Sequence, residues 1–408
     1  MKTAVIYDKW LSGLGGGEVV ACTMARTLKD AGYDVLFLSK DQVSPDAIKE
    51  KLGIDLHDIT FKQVASESDL STSHQPLTTD IFINLSFMDY SYGIGKKNIY
   101  YVHFPTIEKQ GKGAKILKSL GLSGLGLFDK LLLFFQATNL HLLFPNPIRE
   151  KISDRLRAGI YPNLKKRLAS YDTFITHSEY VKKWIQKSWN IDAKVLYPPV
   201  SLLTTHHQPL TTKKDWIVSV GRFFTLGHGK KQEVMIQAFK MLNDKLQMTN
   251  EAKDLELHLI GGVGSEASSL RFIDELRAQA QGYPIYFHFN VDRKEIEEVL
   301  LKSKIYWHAT GFGEDPEKDP IKFEHFGIAP IEAISAGCVP ILFDGGGLRE
   351  IINILHLDPK LHLFSTVDEL CNKTISVLKS KSTRKKASRG ELESVFSFNT
   401  QFLKLIQK

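Results

Sequence analysis

The sequence predicts two doubly wound α/β domains, each built on a mostly parallel sheet, and three observations predict them. Short apolar strands alternate with amphipathic helices along both halves, glycine clusters stand at strand-to-helix turns, and a double proline at Pro198–Pro199 interrupts the alternation near the midpoint. Strands that alternate with helices pack as parallel sheets with helices on both faces. The 408 residues suffice for two such domains, and 43% hydrophobic with 24% charged residues describes a globular chain rather than a disordered or fibrous one. The proline pair is read as the hinge, dividing the chain into domains at 1–198 and 199–389, with a last helix in 390–408 expected to pack back on the first domain.

The first half opens on a βαβ unit. Thr3–Tyr7 is a short apolar strand, which also argues against a cleavable leader at this end. Leu11–Glu18 is a glycine-rich turn, a helix is expected from about Val19 to Ala31, and Gly32–Ser39 forms the second strand. Gly16 and Gly17 let backbone amides come close to an anion or a sugar. The spacing is not the GxGxxG of dinucleotide sites, which disfavours a nicotinamide or flavin; a plain structural turn stays open. Asp80–Ser86 and Lys97–Pro105 read as buried strands, and His103 closes the second of them at a carboxyl end, where open α/β sheets place their ligands. A satisfied core histidine is the alternative. Between 116 and 144 leucine, phenylalanine and glycine dominate, with lysines nearby; the stretch is read either as core helices or as an apolar face for a membrane surface. Glu179–Trp189 is a helix, and Asp192–Val200 a strand ending in the prolines. The hexapeptide at 74–79 recurs at 207–212, in polar segments expected to be surface loops.

The second half repeats the alternation. Trp216–Arg222 is a strand, a loop runs to Gly229, and a helix opens at Lys230. A strand end and the next helix start are neighbours in space, so Arg222 and Lys230 can converge on one anion. Leu255–Gly262, Ile285–Asn290, Ile305–Thr310 and Val339–Phe343 are further strands, with helices at 267–281 and 292–303 between them. Glu324 and Glu332 stand eight residues apart around Phe326–Gly327, with a helix expected from Ile328. Unpaired amides at that helix start, flanked by two carboxylates, suit a phosphorylated sugar. The alternative is that the glutamates only cap and solvate a buried helix. Asp344–Gly347 is a glycine turn that permits close backbone approach to a ligand, and the chain is helical from Thr366 with a basic break at 379–389.

Charge and cysteine content bound the partners. The net charge of +7 suits anionic phosphates or an anionic surface; no Lys/Arg run interleaves with aromatics as a nucleic-acid groove would need. The three cysteines lack metal-type spacing, and Cys22 and Cys338, in apolar helical contexts, are read as reduced core residues of a cytoplasmic protein. No run of 18 apolar residues suggests a spanning helix.

Taken together, Gly15–Glu18, Val220–Arg222 with Lys230, Glu324 to Glu332, Gly337–Pro340 and Gly345–Glu350 resemble the retaining glycosyltransferases of family 4 over essentially the whole chain. Tyr100–Thr106 and Glu324–Ile328 are most similar to the branch of α-1,2-mannosyltransferases that extends dolichol-linked glycans. The resemblance implies a GT-B fold, two Rossmann-like domains facing a central cleft. It implies a nucleotide-diphosphate sugar as co-substrate, no metal or other cofactor, and a glycan or polyprenyl-linked acceptor. It also implies roles. Arg222 and Lys230, or the adjacent Lys231, would bind the diphosphate and Glu332 the ribose. Glu324 would contact sugar hydroxyls, and the amides of Phe326, Gly327 and Ile328 the phosphate. His103 would lie near the donor sugar and the acceptor, with Gly16 and Gly17 by the phosphates or the acceptor. A nucleotide-sugar epimerase of similar fold would need acid/base groups the sequence does not present, and a non-catalytic nucleotide-sugar-binding protein would not need every charged position. The expected place is the cytoplasm, peripheral to a membrane through 116–144.

Overall fold

A computed structural model describes residues 2–64, 79–106, 164–203, 213–224, 229–248, 254–264, 266–380 and 389–407. The apolar segment 116–144, and the repeated hexapeptide apart from Thr79, lie outside the described residues.

Two parallel sheets organise the chain. The first has the order β3-β2-β1-β4-β5-β6-β7, from Thr60–Gln63 (β3), Asp34–Ser39 (β2), Thr3–Tyr7 (β1), Thr79–Asn84 (β4), Gly95–Tyr101 (β5), Thr173–Thr176 (β6) and Lys194–Val195 (β7). The second runs β10-β9-β8-β11-β12-β13, from Ile285–Phe289, Glu256–Gly261, Lys214–Val220, Ser303–His308, Val339–Phe343 and Leu363–Phe364 respectively. The central strands are apolar on both faces because helices cover both; Val5, Ile6, Phe82, Ile83, Ile217 and Val218 are all buried. Each sheet reverses its strand order once, between β1 and β4 and between β8 and β11. At such a point the connections leave in opposite directions and a crevice opens beyond the carboxyl ends. The candidate residues sit at these two crevices.

Helix starts differ from the sequence reading in one informative place. The first helix, α1 (Gly16–Asp30), begins at Gly16 rather than Val19, because the Glu18 carboxylate turns back to accept the Gly15 amide at 2.5 Å. This one-sided cap by Glu18 stabilises a helix whose first residues are glycines, otherwise poor helix formers. Further helices used below are α2 (Glu179–Trp189), α3 (Gln232–Met248), α4 (Arg293–Lys302), α5 (Ile328–Ser335), α6 (Gly347–Ile354) and α7 (Phe398–Gln407). The last of these lies against α1 in the first core through Phe398, Phe402 and Ile406, with Thr27 Oγ1 donating to Asn399 at 3.0 Å.

The two domains touch through specific polar contacts. Both oxygens of Glu350 on α6 accept amides at the start of α2, from Glu179 at 2.9 Å and Tyr180 at 3.2 Å. A carboxylate there satisfies two otherwise unpaired donors and complements the positive end of the helix dipole. The Tyr180 hydroxyl donates to the Pro320 carbonyl at 2.8 Å, and the His325 ring stacks on Phe104 with centroids 4.6 Å apart.

Candidate active site

The site grows from the ends of β8 and β11. Gly221 follows β8, and a side chain there would collide with Lys230, its Cβ 2.6 Å from Lys230 Cγ. Glycine therefore lets the lysine lie across the strand end. Lys230 Nζ meets Glu324 Oε2 at 2.7 Å, with both side chains largely buried. The same carboxylate oxygen is 2.7 Å from His308 Nε2, which lies 2.9 Å from Thr310 Oγ1. A carboxylate only accepts, so His308 carries its proton on Nε2 and turns Nδ1 toward the Tyr306 hydroxyl at 3.3 Å. Burial holds the His308 imidazole below its usual range against the opposing pull of Glu324. Burial first, and then the negative charges of Glu324 and Glu332, push the Tyr306 phenol well above its usual range.

Arg222 is exposed at the same strand end, its guanidinium 5.4 Å from the Phe224 ring centroid. Lys231 takes another direction: with φ at 57° it turns to Glu314 at 2.7 Å, in a cluster that also holds Lys322. Of the two adjacent lysines, Lys230 is the one joined to Glu324.

The Glu324 loop is held from behind by Gly345–Gly347. The Gly347 amide donates to the Glu324 carbonyl at 2.8 Å, and a Cβ on Gly347 would stand 2.5 Å from the His325 carbonyl oxygen. Gly346, with φ at 59°, packs against the Glu324 carbonyl in the same way. These glycines permit close approach to the Glu324–Phe326 backbone, a packing role the sequence reading does not foresee. Phe326 is buried and stacked on Tyr197 with centroids 5.4 Å apart, so its amide rather than its ring can serve a ligand. Gly327 takes φ 110° to cap α5, which only glycine adopts readily. Glu332, in the second turn of α5, is buried and paired with Arg293 Nη1 at 2.8 Å; desolvation nonetheless raises its carboxyl above the usual range.

Across the cleft, the first turn of α1 faces the first turn of α5. A Cβ on Gly16 would stand 3.4 Å from Ile328 Cδ1, and one on Gly17 3.0 Å from His103 Cε1. His103 donates Nε2–H to the Leu85 carbonyl at 2.8 Å, and burial lowers its pKa to about 4. It is therefore neutral at pH 7, with Nδ1 an acceptor. Glu18, raised by burial, feels the charge of Arg222 from the other domain. The starts of α1 and α5 thus face each other, with Lys230 held on Glu324 just before α5 and Arg222 close enough to act on the charge of Glu18.

Three residues of this region are absent from the sequence reading. His308 ends β11, and the carboxyl-end argument applied to His103 finds it equally well. Arg293, at the start of α4, carries no local signal for its pairing with Glu332. Asp8 directly follows β1; it is 2% exposed and its Oδ2 has no hydrogen-bond partner. Among the described residues, no three His, Cys, Asp or Glu side chains converge as a metal-binding group.

Residues 204–391 match the family model described as Glycosyl transferases group 1. The human GDP-Man:Man(3)GlcNAc(2)-PP-Dol alpha-1,2-mannosyltransferase is 26% identical over 330 residues, 76% of this chain, while the match spans 60% of the human protein's length. Among solved structures, the lipopolysaccharide outer core galactosyltransferase WaaB superposes with a TM-score of 0.58 at 16% identity, covering 100% of this chain and 99% of that one. Anabaena HepE in complex with UDP and glucose gives a TM-score of 0.59 at 13% identity, covering 100% of both chains. Residues 204–391 thus carry the match to the group 1 glycosyltransferase model, and the chain as a whole shares the two-sheet GT-B fold of these solved structures.

Proposed function

We propose that this chain transfers a hexose, mannose or a close relative, from a nucleotide-diphosphate sugar to a glycan or lipid-linked acceptor, with retention at the anomeric carbon and without a metal. The observation that carries the reading is the Lys230–Glu324–His308 cluster beneath Arg222 and two facing helix starts. The human relative's name gives a GDP-mannose donor and a dolichol-linked acceptor, and HepE is described with UDP and glucose.

The chemistry follows from where charge develops. Breaking the bond between the anomeric carbon and the diphosphate oxygen leaves both electrons on the nucleotide diphosphate, while the sugar becomes oxocarbenium-like. Arg222, Lys230 and the amides of Gly327 and Ile328 stabilise the departing negative charge. The acceptor oxygen bonds to the same face of the anomeric carbon, and its proton passes to the leaving phosphate oxygen. Glu324 positions Lys230 and offers its second oxygen to sugar hydroxyls; it is not assigned as a nucleophile. Glu332 accepts the ribose hydroxyls and the neutral His103 accepts from a sugar hydroxyl.

Thermal shifts with GDP- and UDP-sugars, followed by release of nucleoside diphosphate, test the reading. Stabilisation by one donor and its loss in Arg222→Ala are the expected results. A folded chain that neither binds nor consumes any such donor would remove the proposal.

A further inference from the structure

Trp10 and Phe87 stand three residues beyond Tyr7 and Asn84, which pair across β1 and β4. The two residues therefore follow neighbouring strand ends at the crevice of the first sheet, and the Trp10 indole N–H donates to the Phe87 carbonyl at 3.2 Å. Trp10 is 44% exposed and Phe87 36%, and neither belongs to the apolar clusters of its domain. Burying either ring elsewhere would favour folding, so their exposure contributes nothing to the core.

The loops that carry them are fixed. Met88 adopts φ 52°, a left-handed conformation that a side-chain-bearing residue keeps only when its surroundings demand it. Buried Asp89 accepts the Tyr7 hydroxyl at 3.3 Å and Lys9 Nζ at 3.2 Å, while its carbonyl accepts from Asn84 and Tyr100. The Lys9 amide donates to Ser86 Oγ at 2.7 Å, and the Trp10 amide to Asp8 Oδ1 at 3.1 Å. Exposed aromatics on a rigid seat form a pre-organised contact surface.

Its rim is polar. Lys9 and Lys40 hold ammonium groups over the Trp10 ring, 5.3 and 5.9 Å from its centroid, where a sugar would have to displace the mobile lysine ends or share the ring with them. Ser12 donates to the exposed Asp41 at 2.6 Å. A small aromatic face inside a hydrogen-bonding rim fits a pyranose, which presents a patch of C–H bonds to the negative ring face and hydroxyls around it. An acyl chain would need a wider apolar area. The platform is also continuous with the reaction centre, since the Phe87 ring lies edge-on to His103 at 6.3 Å and His103 borders Gly17.

We propose that Trp10 and Phe87 form a subsite for a sugar ring of the acceptor glycan. The inference rests on the glycosyl-transfer reading and adds the surface that holds the acceptor. The test uses the full chain, with free mannotriose as probe for the platform, GDP and UDP as probes for the donor side, and phosphatidylserine vesicles as the competing occupant. Trp10→Ala and Phe87→Ala are each expected to weaken mannotriose binding by about tenfold, the scale of one aromatic contact, and Trp10→Phe to restore most of it. Nucleotide affinity and melting temperature should stay at the parent values. Mannotriose binding that is absent in the parent chain, or unchanged in both alanine variants, overturns the subsite. So does an effect confined to vesicle binding, which would make the pair a lipid contact. Loss of nucleotide binding in the parent chain would instead sink the donor reading, leaving the mannotriose result to stand by itself.

Discussion

Lys230 Nζ and Glu324 Oε2 lie 2.7 Å apart at the mouth of the second sheet, and the same oxygen also meets His308. One carboxylate thus holds a cation from the loop after β8 and an imidazole from the end of β11. The pair orients Lys230 before any ligand arrives, which lowers the reorganisation needed when negative charge appears nearby.

Removing either cation should therefore lower turnover, and for the exposed Arg222 it should do so with little effect on folding. Arg222→Ala and Lys230→Ala are each expected to lower kcat about 100-fold or more, with melting temperature changed little for the exposed arginine. Initial rates at saturating donor check this. A tenfold or smaller effect in both variants would show that the charge is stabilised elsewhere.

His308 was reachable from the sequence, because it ends a strand as His103 does. The alternating strands and glycine turns also made both sheets legible, since period-two and helical patterns survive in parallel α/β units. Three things were not legible. The start of α1 at Gly16 depends on the Glu18 side chain folding back, which helix propensity does not register. The role of Gly345–Gly347 depends on a non-local approach to the Glu324 backbone. The pairing of Arg293 with Glu332 joins residues 39 positions apart, and nothing local in either segment announces it.

Glu350 joins the domains through the start of α2. Glu350→Ala leaves two amides without their charged partner, so a loss on the order of 2 kcal/mol in stability is expected from two such bonds. Glu350→Gln, which keeps one acceptor oxygen, should recover part of it. Chemical denaturation measures the difference; equal midpoints for all three proteins would mean the contact carries no net stability.

Asp8 gives a pH dependence with a defined sign. Burial first, and then the charge of Glu18, push its carboxyl up to about 8 from an ordinary 3.8. Between those values the folded chain keeps a proton that the unfolded chain releases, so this group's contribution is fully present below about pH 4 and lost as pH rises toward 8. Asp8→Asn cannot ionise and should melt higher than the parent at pH 8, with the gap closing by pH 4. A gap that does not change with pH would show that Asp8 titrates normally.

Gly17→Ala tests the seat of His103 beside the first turn of α1. Its Cβ would stand 3.0 Å from His103 Cε1, so the imidazole must shift. The variant should fold, because alanine favours α1, and should lose at least about tenfold in kcat/KM through the displaced histidine. Activity at the parent level would separate His103 from the reaction.

The most direct test follows the anomeric carbon itself. The full chain is incubated with GDP-mannose and a mannose-terminated acceptor in excess EDTA, and the linkage formed is read by proton NMR. An α-linked product made at an undiminished rate is what this account predicts. A β-linked product, or transfer abolished by the chelator, would contradict it.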